Sequence, residues 1–246
     1  PPTSSSCRIF PADNPWNQDV SALPLHPRAA QILANMNPTG TLHPDWGNAS
    51  RDHWGIPWTT GSGAPPLPMT WTASWGPTES DPLPCPSGGG MFCYPIPATA
   101  PIQGGAGAPS TDDRHLTYLD TSGAPDTCTL YELYNAQNFS GGTWTAQNGA
   151  IFHLGSNALP PEHWTSSDAA GLPLFPGLVR VEEVLAGEIR HAIRFTMVRT
   201  ARFYIHPATH AAGQAGADLP PMGLRLRANY PVASAPASAQ VVLRAM

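Results

Sequence analysis

DDRHLTYLD (residues 112–120), CTLYELYNA (128–136), GAIFHLGSN (149–157) and PPEHWTSSD (160–168) decide the fold class. The first three are short apolar runs rich in β-branched and aromatic residues, bounded by turn-forming residues, which is the signature of strands. Residues 115–120 and 127–135 predict a hairpin across TSGAPD (121–126), and residues 150–154 a further short strand. Asp113, His115, Asp120, Glu132, Tyr134 and His153 are threaded through these runs. Only 12% of the chain is charged, against about 25% in an ordinary globular protein, so ionisable groups inside apolar strands stand out.

Outward from this centre, the chain before residue 110 predicts an irregular arm. FPADNPWNQDVSALPLHP (10–27) carries too many prolines for a central strand. PRAAQILANM (27–36) predicts a helix with Ile32, Leu33 and Met36 on one stripe, stopped by Asn37-Pro38. Residues 56–60 and 68–75 predict strands, 80–90 a loop, and GGAGAPST (104–111) the most flexible stretch. After residue 170, a helix is expected over 177–186 with Val181, Val184 and Leu185 as its apolar stripe and Gly187 as its stop. Alternation predicts strands at 191–198, 202–206 and 224–230, with 240–243 closing the sheet. The expectation is a mainly β, single-domain sandwich or barrel over 1–246, with few short helices and long Pro/Gly-rich loops. In it, 1–110 is arm and loop, and 111–246 is the regular sheet core.

Composition narrows the function. All twelve basic residues are arginine and the net charge is -5, so a nucleic-acid partner, which needs a basic face, is not expected. No apolar run approaches the roughly 20 residues of a membrane span. With no lysine, Schiff-base chemistry and covalent pyridoxal phosphate attachment are excluded, and GxSxG, P-loop and GxGxxG patterns are absent. The four cysteines lack CxxC spacing, which argues against a zinc knuckle. Cys85 and Cys93 flank the short segment PSGGGMF(86–92), leaving Cys7 to pair with Cys128; four free thiols in a cytosolic protein are the alternative. The opening PPTSSSC is expected to be the start of a processed, secreted chain.

The candidate site comes from the carboxylates. In a strand, Asp113 and His115 share a face, as do Glu132 and Tyr134 on the partner strand, and the hairpin register decides whether the two pairs meet. If they meet, one carboxyl raised by burial can act as general acid beside an ionised partner, the arrangement glycoside hydrolysis requires. Asp113 and Glu132 are therefore the expected catalytic pair, with Asp120 as substitute. His115, Tyr134, His153, Arg194 and His210 are expected to bind substrate. The bland alternative is that Asp113 caps a strand, Glu132 pairs an arginine and Asp120 starts a turn. Eight tryptophans suit sugar stacking, and Trp144 and Trp164 are expected among the substrate-binding residues. His115, His153 and His210 could together hold a metal, but hydrogen-bonded histidines are the preferred reading, and neither metal nor cofactor is expected.

CRIFPADNPWNQDVSALPLHP, YPIPATAPIQGG, DRHLTYLD, CTLYELYNA, GSNALPPEHWTSSDAAGLPLFPGLVRVEEV, GEIRHAIRFT and LPPMGLRLR together resemble a family of secreted actinobacterial and myxobacterial proteins. The resemblance spans nearly the whole chain. It implies secretion and one continuous domain, and it brings no activity with it. The reading is a secreted, monomeric, carbohydrate-active enzyme, a glycoside hydrolase on a neutral polysaccharide or oligosaccharide. The alternatives are a non-catalytic glycan-binding or cell-envelope protein and a polysaccharide lyase with His or Tyr as base and Arg neutralising a uronate.

Overall fold

The hairpin expected over 115–135 forms, and its two strands lie in the middle of the larger of two sheets. The computed structural model describes residues 6–36, 41, 43–47, 53–216, 218–228 and 230–246. In chain order the regular elements are α1 (Ala29–Asn35), β1 (Trp58–Gly61), β2 (Leu67–Trp71), β3 (Cys93–Tyr94), β4 (Leu116–Asp120), β5 (Thr129–Tyr134), β6 (Trp144–Ala146), β7 (Asn148–His153), α2 (Val181–Ala186) and α3 (Ala237–Ala245). One sheet has the order β1-β4-β5-β7, the other β3-β2-β6. The protein is mainly β, as the sequence predicts.

β4 and β5 are buried on both faces, which is why they read as nearly unbroken apolar runs. One face carries Leu116, Tyr118, Tyr131 and Leu133, packed against Met69, Tyr94, Ile96 and Trp144 of the smaller sheet and its flanks. The other carries Leu119, Leu130, Ala150 and Phe152, packed against Phe10, Trp16 and Phe175. A sandwich of two sheets is thus extended by a third, irregular layer. β6 and β7 are separated by Gln147 alone, so the chain passes from one sheet to the other within one residue. Gly149 permits the close approach: a Cβ there would lie 2.6 Å from Tyr94 and 2.8 Å from Trp71.

Both expected disulfides are present, Cys7–Cys128 and Cys85–Cys93. The first ties the arm to the start of β5. The second closes the 80–90 loop, which is irregular as expected. Among the described residues no helix is long and apolar enough to cross a membrane.

The division at residue 110 is corrected: β1, β2 and β3 come from the first 110 residues, and the last named strand ends at His153. Among the described residues the strands expected at 191–198, 202–206 and 224–230 do not form; Tyr204 makes an isolated bridge to Met222, and Ala201, just before the second range, one to Gln214. Their polar groups are used elsewhere. The Ala192 N–H donates to the Trp16 carbonyl and the Arg194 N–H to Gly177, while Arg225 and Arg227 donate to arm carbonyls at Pro15, Gln18, Val20 and Ser21. Residues 240–243 are helical within α3, where Val241 and Val242 pack with Ile189 and Val184.

The other helices are also shorter than periodicity suggests. α1 buries Ile32 but leaves Leu33 exposed, and its expected stop at Asn37-Pro38 lies outside the described residues. α2 ends at Gly187, which adopts φ 86°. Of its expected stripe only Val184 packs inward; Val181 and Leu185 face out. Residues 104–111, expected to be flexible, are braced by the buried Arg114, whose Nη1 donates to Ala108 O at 2.6 Å.

Candidate functional site

The hairpin register brings the expected residues together at one end of the larger sheet. Leu116 pairs with Leu133 and Thr117 with Glu132, so His115 stands opposite Tyr134, with ring centroids 5.7 Å apart. Glu132 shares their face and is flanked across the sheet by Thr117 and Ala150. Asp113 lies just beyond the strand. Arg114, at φ 47°, breaks the strict alternation between them, and Asp113 Oδ2 lies 3.8 Å from His115 Nε2. Burial, the charge of Asp113 and a hydrogen bond to it hold the Tyr134 phenol above its ordinary range.

The Asp113 side chain is 64% exposed and that of His115 8%, and Glu132 lies deeper than either. It is fully buried. Its Oε2 accepts the Leu174 N–H at 2.9 Å and its Oε1 the Phe175 N–H at 2.9 Å. It therefore holds the 3-10 turn Phe175–Gly177 from beneath. Arg180, also buried, holds the same turn by donating to Phe175 O at 2.9 Å, with its guanidinium 4.9 Å over the Phe175 ring. Arg180 in turn pairs with Glu183 at 2.5 Å, and Glu183 with His191 at 3.2 Å. Burial pushes the Glu132 carboxyl up to about 7; the two N–H donors and Arg194 oppose this and Asp168 adds to it.

Two residues outside the expected set complete the cluster. Ser167 Oγ lies 2.9 Å from His115 Nδ1 and donates to Leu133 O at 3.0 Å. Asp168 pairs with Arg194 at 2.5 Å. Burial pushes His115 down to about 3, with Arg194 lowering it further and Asp168 opposing. Ser167, His115 and Asp113 are the residue types of a hydrolytic triad, but the order relative to solvent is inverted. The serine is buried at 3% exposure and the aspartate side chain lies outside at 64%. No substrate carbonyl could reach the hydroxyl, so a serine nucleophile is not supported. Sequence reasoning missed Ser167 and Asp168 because SSD after PPEHWT reads as a turn. The turn does form, with the Asp168 N–H donating to Ser166 Oγ at 3.0 Å.

The remaining expected residues are placed elsewhere. Asp120 sits at the opposite end of β4 and caps the following turn by accepting the Ser122 N–H at 2.9 Å. His153 pairs in register with Thr129, which faces Asp120, so it too lies at that far end. His210 Nδ1 donates to Ala169 O at 2.7 Å. A His115–His153–His210 metal site is thereby excluded, and among the described residues no group of three His, Cys, Asp or Glu side chains is arranged to hold a metal. Trp144 is core, 1% exposed, with Nε1 donating to Ile96 O at 3.2 Å. Trp164 is half-buried and its carbonyl accepts the Thr209 hydroxyl.

His115, Asp113 and Arg194 line a broad open trough whose wall includes His53, Trp54 and Trp46. The two indoles are 56% and 54% exposed for Trp54 and Trp46. The Trp54 loop is tied to the histidine. His53 contacts Asp112 at 3.0 Å, its carbonyl accepts Gln103 Nε2 at 2.7 Å, and the Gln103 N–H donates to His115 O at 2.9 Å. No protein-family model, curated protein or solved structure matches this chain.

The two buried groups oppose each other in their pH dependence. His115 titrates below its ordinary 6.5, so it makes the fold lose stability as pH falls from 6.5 toward 3. Glu132 titrates above its ordinary 4.5, so it makes the fold lose stability as pH rises from 4.5 toward about 7. Each slope is at most roughly 1.4 kcal/mol per pH unit. Glu132→Gln removes one of them. The stability difference between wild type and variant should shrink by up to about 3 kcal/mol as pH rises through the Glu132 window, as measured by urea unfolding. A difference independent of pH would show that Glu132 stays ionised in the fold.

Proposed function

We propose that this chain is a secreted monomer that binds a polysaccharide or oligosaccharide along the trough. The observation that carries the reading is two largely exposed indoles in the same trough as the His115–Asp113 pair. Large exposed aromatic faces beside hydrogen-bonding groups are what a sugar ring needs: an apolar face for its C–H groups and polar partners for its hydroxyls. The two disulfides suit an oxidising compartment and support secretion, as does the resemblance to secreted bacterial proteins.

Hydrolysis with Glu132 as acid and Asp113 as the ionised partner is the second reading. The raised Glu132 carboxyl favours it, since a general acid works best with a value near the operating pH. The burial of Glu132 behind two backbone donors weighs against it, because a general acid must reach the glycosidic oxygen. A lyase with His115 as base is the third and shares the same trough.

A panel of soluble polysaccharides separates them. Binding is read by calorimetry, hydrolysis by reducing-sugar release, and elimination by absorbance of unsaturated products. Saturable binding without turnover is expected. Trp54→Ala should weaken it about tenfold, the loss of roughly 1.4 kcal/mol of stacking. Failure of every glycan to bind, or full affinity in the variant, counts against the proposal.

A further inference from the structure

The hydrogen-bond pattern around His115 fixes which ring nitrogen carries the proton. The Leu133 carbonyl can only accept, so the single Ser167 hydroxyl proton goes to it, over 3.0 Å. His115 Nδ1, 2.9 Å from Ser167 Oγ, must then be the donor. In a neutral imidazole that leaves Nε2 as a bare acceptor. Nε2 faces Asp113 Oδ2 at 3.8 Å, and a carboxylate is also acceptor-only. Two lone-pair-bearing atoms thus face each other at the trough wall; the Tyr134 hydroxyl donates to the Asp113 carboxylate, and Nε2 faces an acceptor. Arg194 at the same wall is paired with Asp168.

We propose that His115 Nε2 and Asp113 Oδ2 form a paired acceptor that takes the protons of two neighbouring hydroxyls of a neutral sugar and disfavours anionic sugars. This rests on the trough being a glycan site. Each acceptor reaches a hydroxyl oxygen at roughly 2.8 Å, so two adjacent hydroxyls fit over a pair 3.8 Å apart. A bound uronate or sulfate would bring a third acceptor-only group beside Asp113 and Asp112, whereas a neutral diol brings a donor for Nε2 and a further one for the Asp113 carboxylate. A metal ion is the other species such a pair could take, but among the described residues no further His, Cys, Asp or Glu completes a shell.

The test uses the full chain with ¹⁵N-labelled histidine. Without ligand, NMR should show His115 protonated at Nδ1 and bare at Nε2 between about pH 5 and 8; a proton on Nε2 overturns the proposal. Cellohexaose, xylohexaose and maltohexaose then serve as neutral probes and hexagalacturonate as the anionic one. The wild type should favour at least one neutral probe over the uronate by tenfold or more, and its binding should shift the His115 Nε2 resonance. Asp113→Asn, at a largely exposed side chain, should weaken that binding about tenfold and narrow the preference. Unchanged neutral binding in Asp113→Asn overturns the paired acceptor while leaving the trough reading intact. Binding of none of the four probes overturns both.

Discussion

Glu132→Ala is expected to destabilise the protein by roughly 3–6 kcal/mol. The substitution leaves the Leu174 and Phe175 N–H groups buried without an acceptor, at about 1–3 kcal/mol each. It also opens a cavity between β5 and the 3-10 turn, which costs further. Against a typical total of about 5–15 kcal/mol, that is a large share of the stability. Glu132→Gln keeps the volume and one carbonyl oxygen, so it should cost about half as much. Urea unfolding measures both. Hydrogen exchange locates the effect, because the Leu174 and Phe175 amides should lose protection before the β4–β5 core does. If Glu132→Ala unfolds within about 1 kcal/mol of wild type with those amides still protected, another acceptor holds the turn. Since Gly177 and Leu178 line the trough, the same variant should lose glycan binding through a displaced wall, without touching the sugar.

Removing Cys7–Cys128 should have the second large effect. The bridge spans 121 residues, and the chain-entropy estimate for a loop of that length is roughly 5 kcal/mol. The bridge across only 8 residues between Cys85 and Cys93 should contribute roughly 2–3 kcal/mol by the same estimate. The double variant Cys7→Ser/Cys128→Ser is therefore expected to melt well below Cys85→Ser/Cys93→Ser, by on the order of 5–10 °C for a chain of this size. Packing strengthens the contrast: Cys7 and Cys128 lie in the core layer with Phe10, Trp16 and Leu130, whereas Cys85 sits in a surface loop. Equal melting temperatures for the two variants would mean that the arm holds to the sheet through Phe10 and Trp16 without the bridge. Thiol titration of the wild type under denaturing, non-reducing conditions should find no free thiol.

The chemistry of residues 112–136 was legible because apolar strands rarely carry Glu or His, and these did. The pairing of His115 with Tyr134 hung on the hairpin register, which the loop length does not fix and the folded chain decided. The fate of Glu132 was not legible. Its partners, the amides of Leu174 and Phe175, lie 42 and 43 residues away, and backbone donors leave no mark in side-chain identity. Asp120 and His153 looked equivalent to Asp113 and His115 in sequence, yet they stand at the other end of the sheet. Alternation at 191–198 and 224–230 mimicked strands because Arg194, Arg225 and Arg227 alternate with apolar residues for another reason: they reach across to Asp168 and to arm carbonyls.

Local composition was thus enough to specify the β class and the central hairpin and to point to two disulfides and to Asp113, His115, Glu132 and Tyr134, since these depend on neighbours in sequence and on period two; the folded chain decided between two bridges and four free thiols. Only the folded chain decided which carboxyl meets solvent and which is sealed, which histidine stands by an aspartate, and which indoles face the trough. Those outcomes depend on contacts between segments dozens to hundreds of residues apart, and burial, unlike periodicity, is a property of what covers a residue rather than of the residue itself.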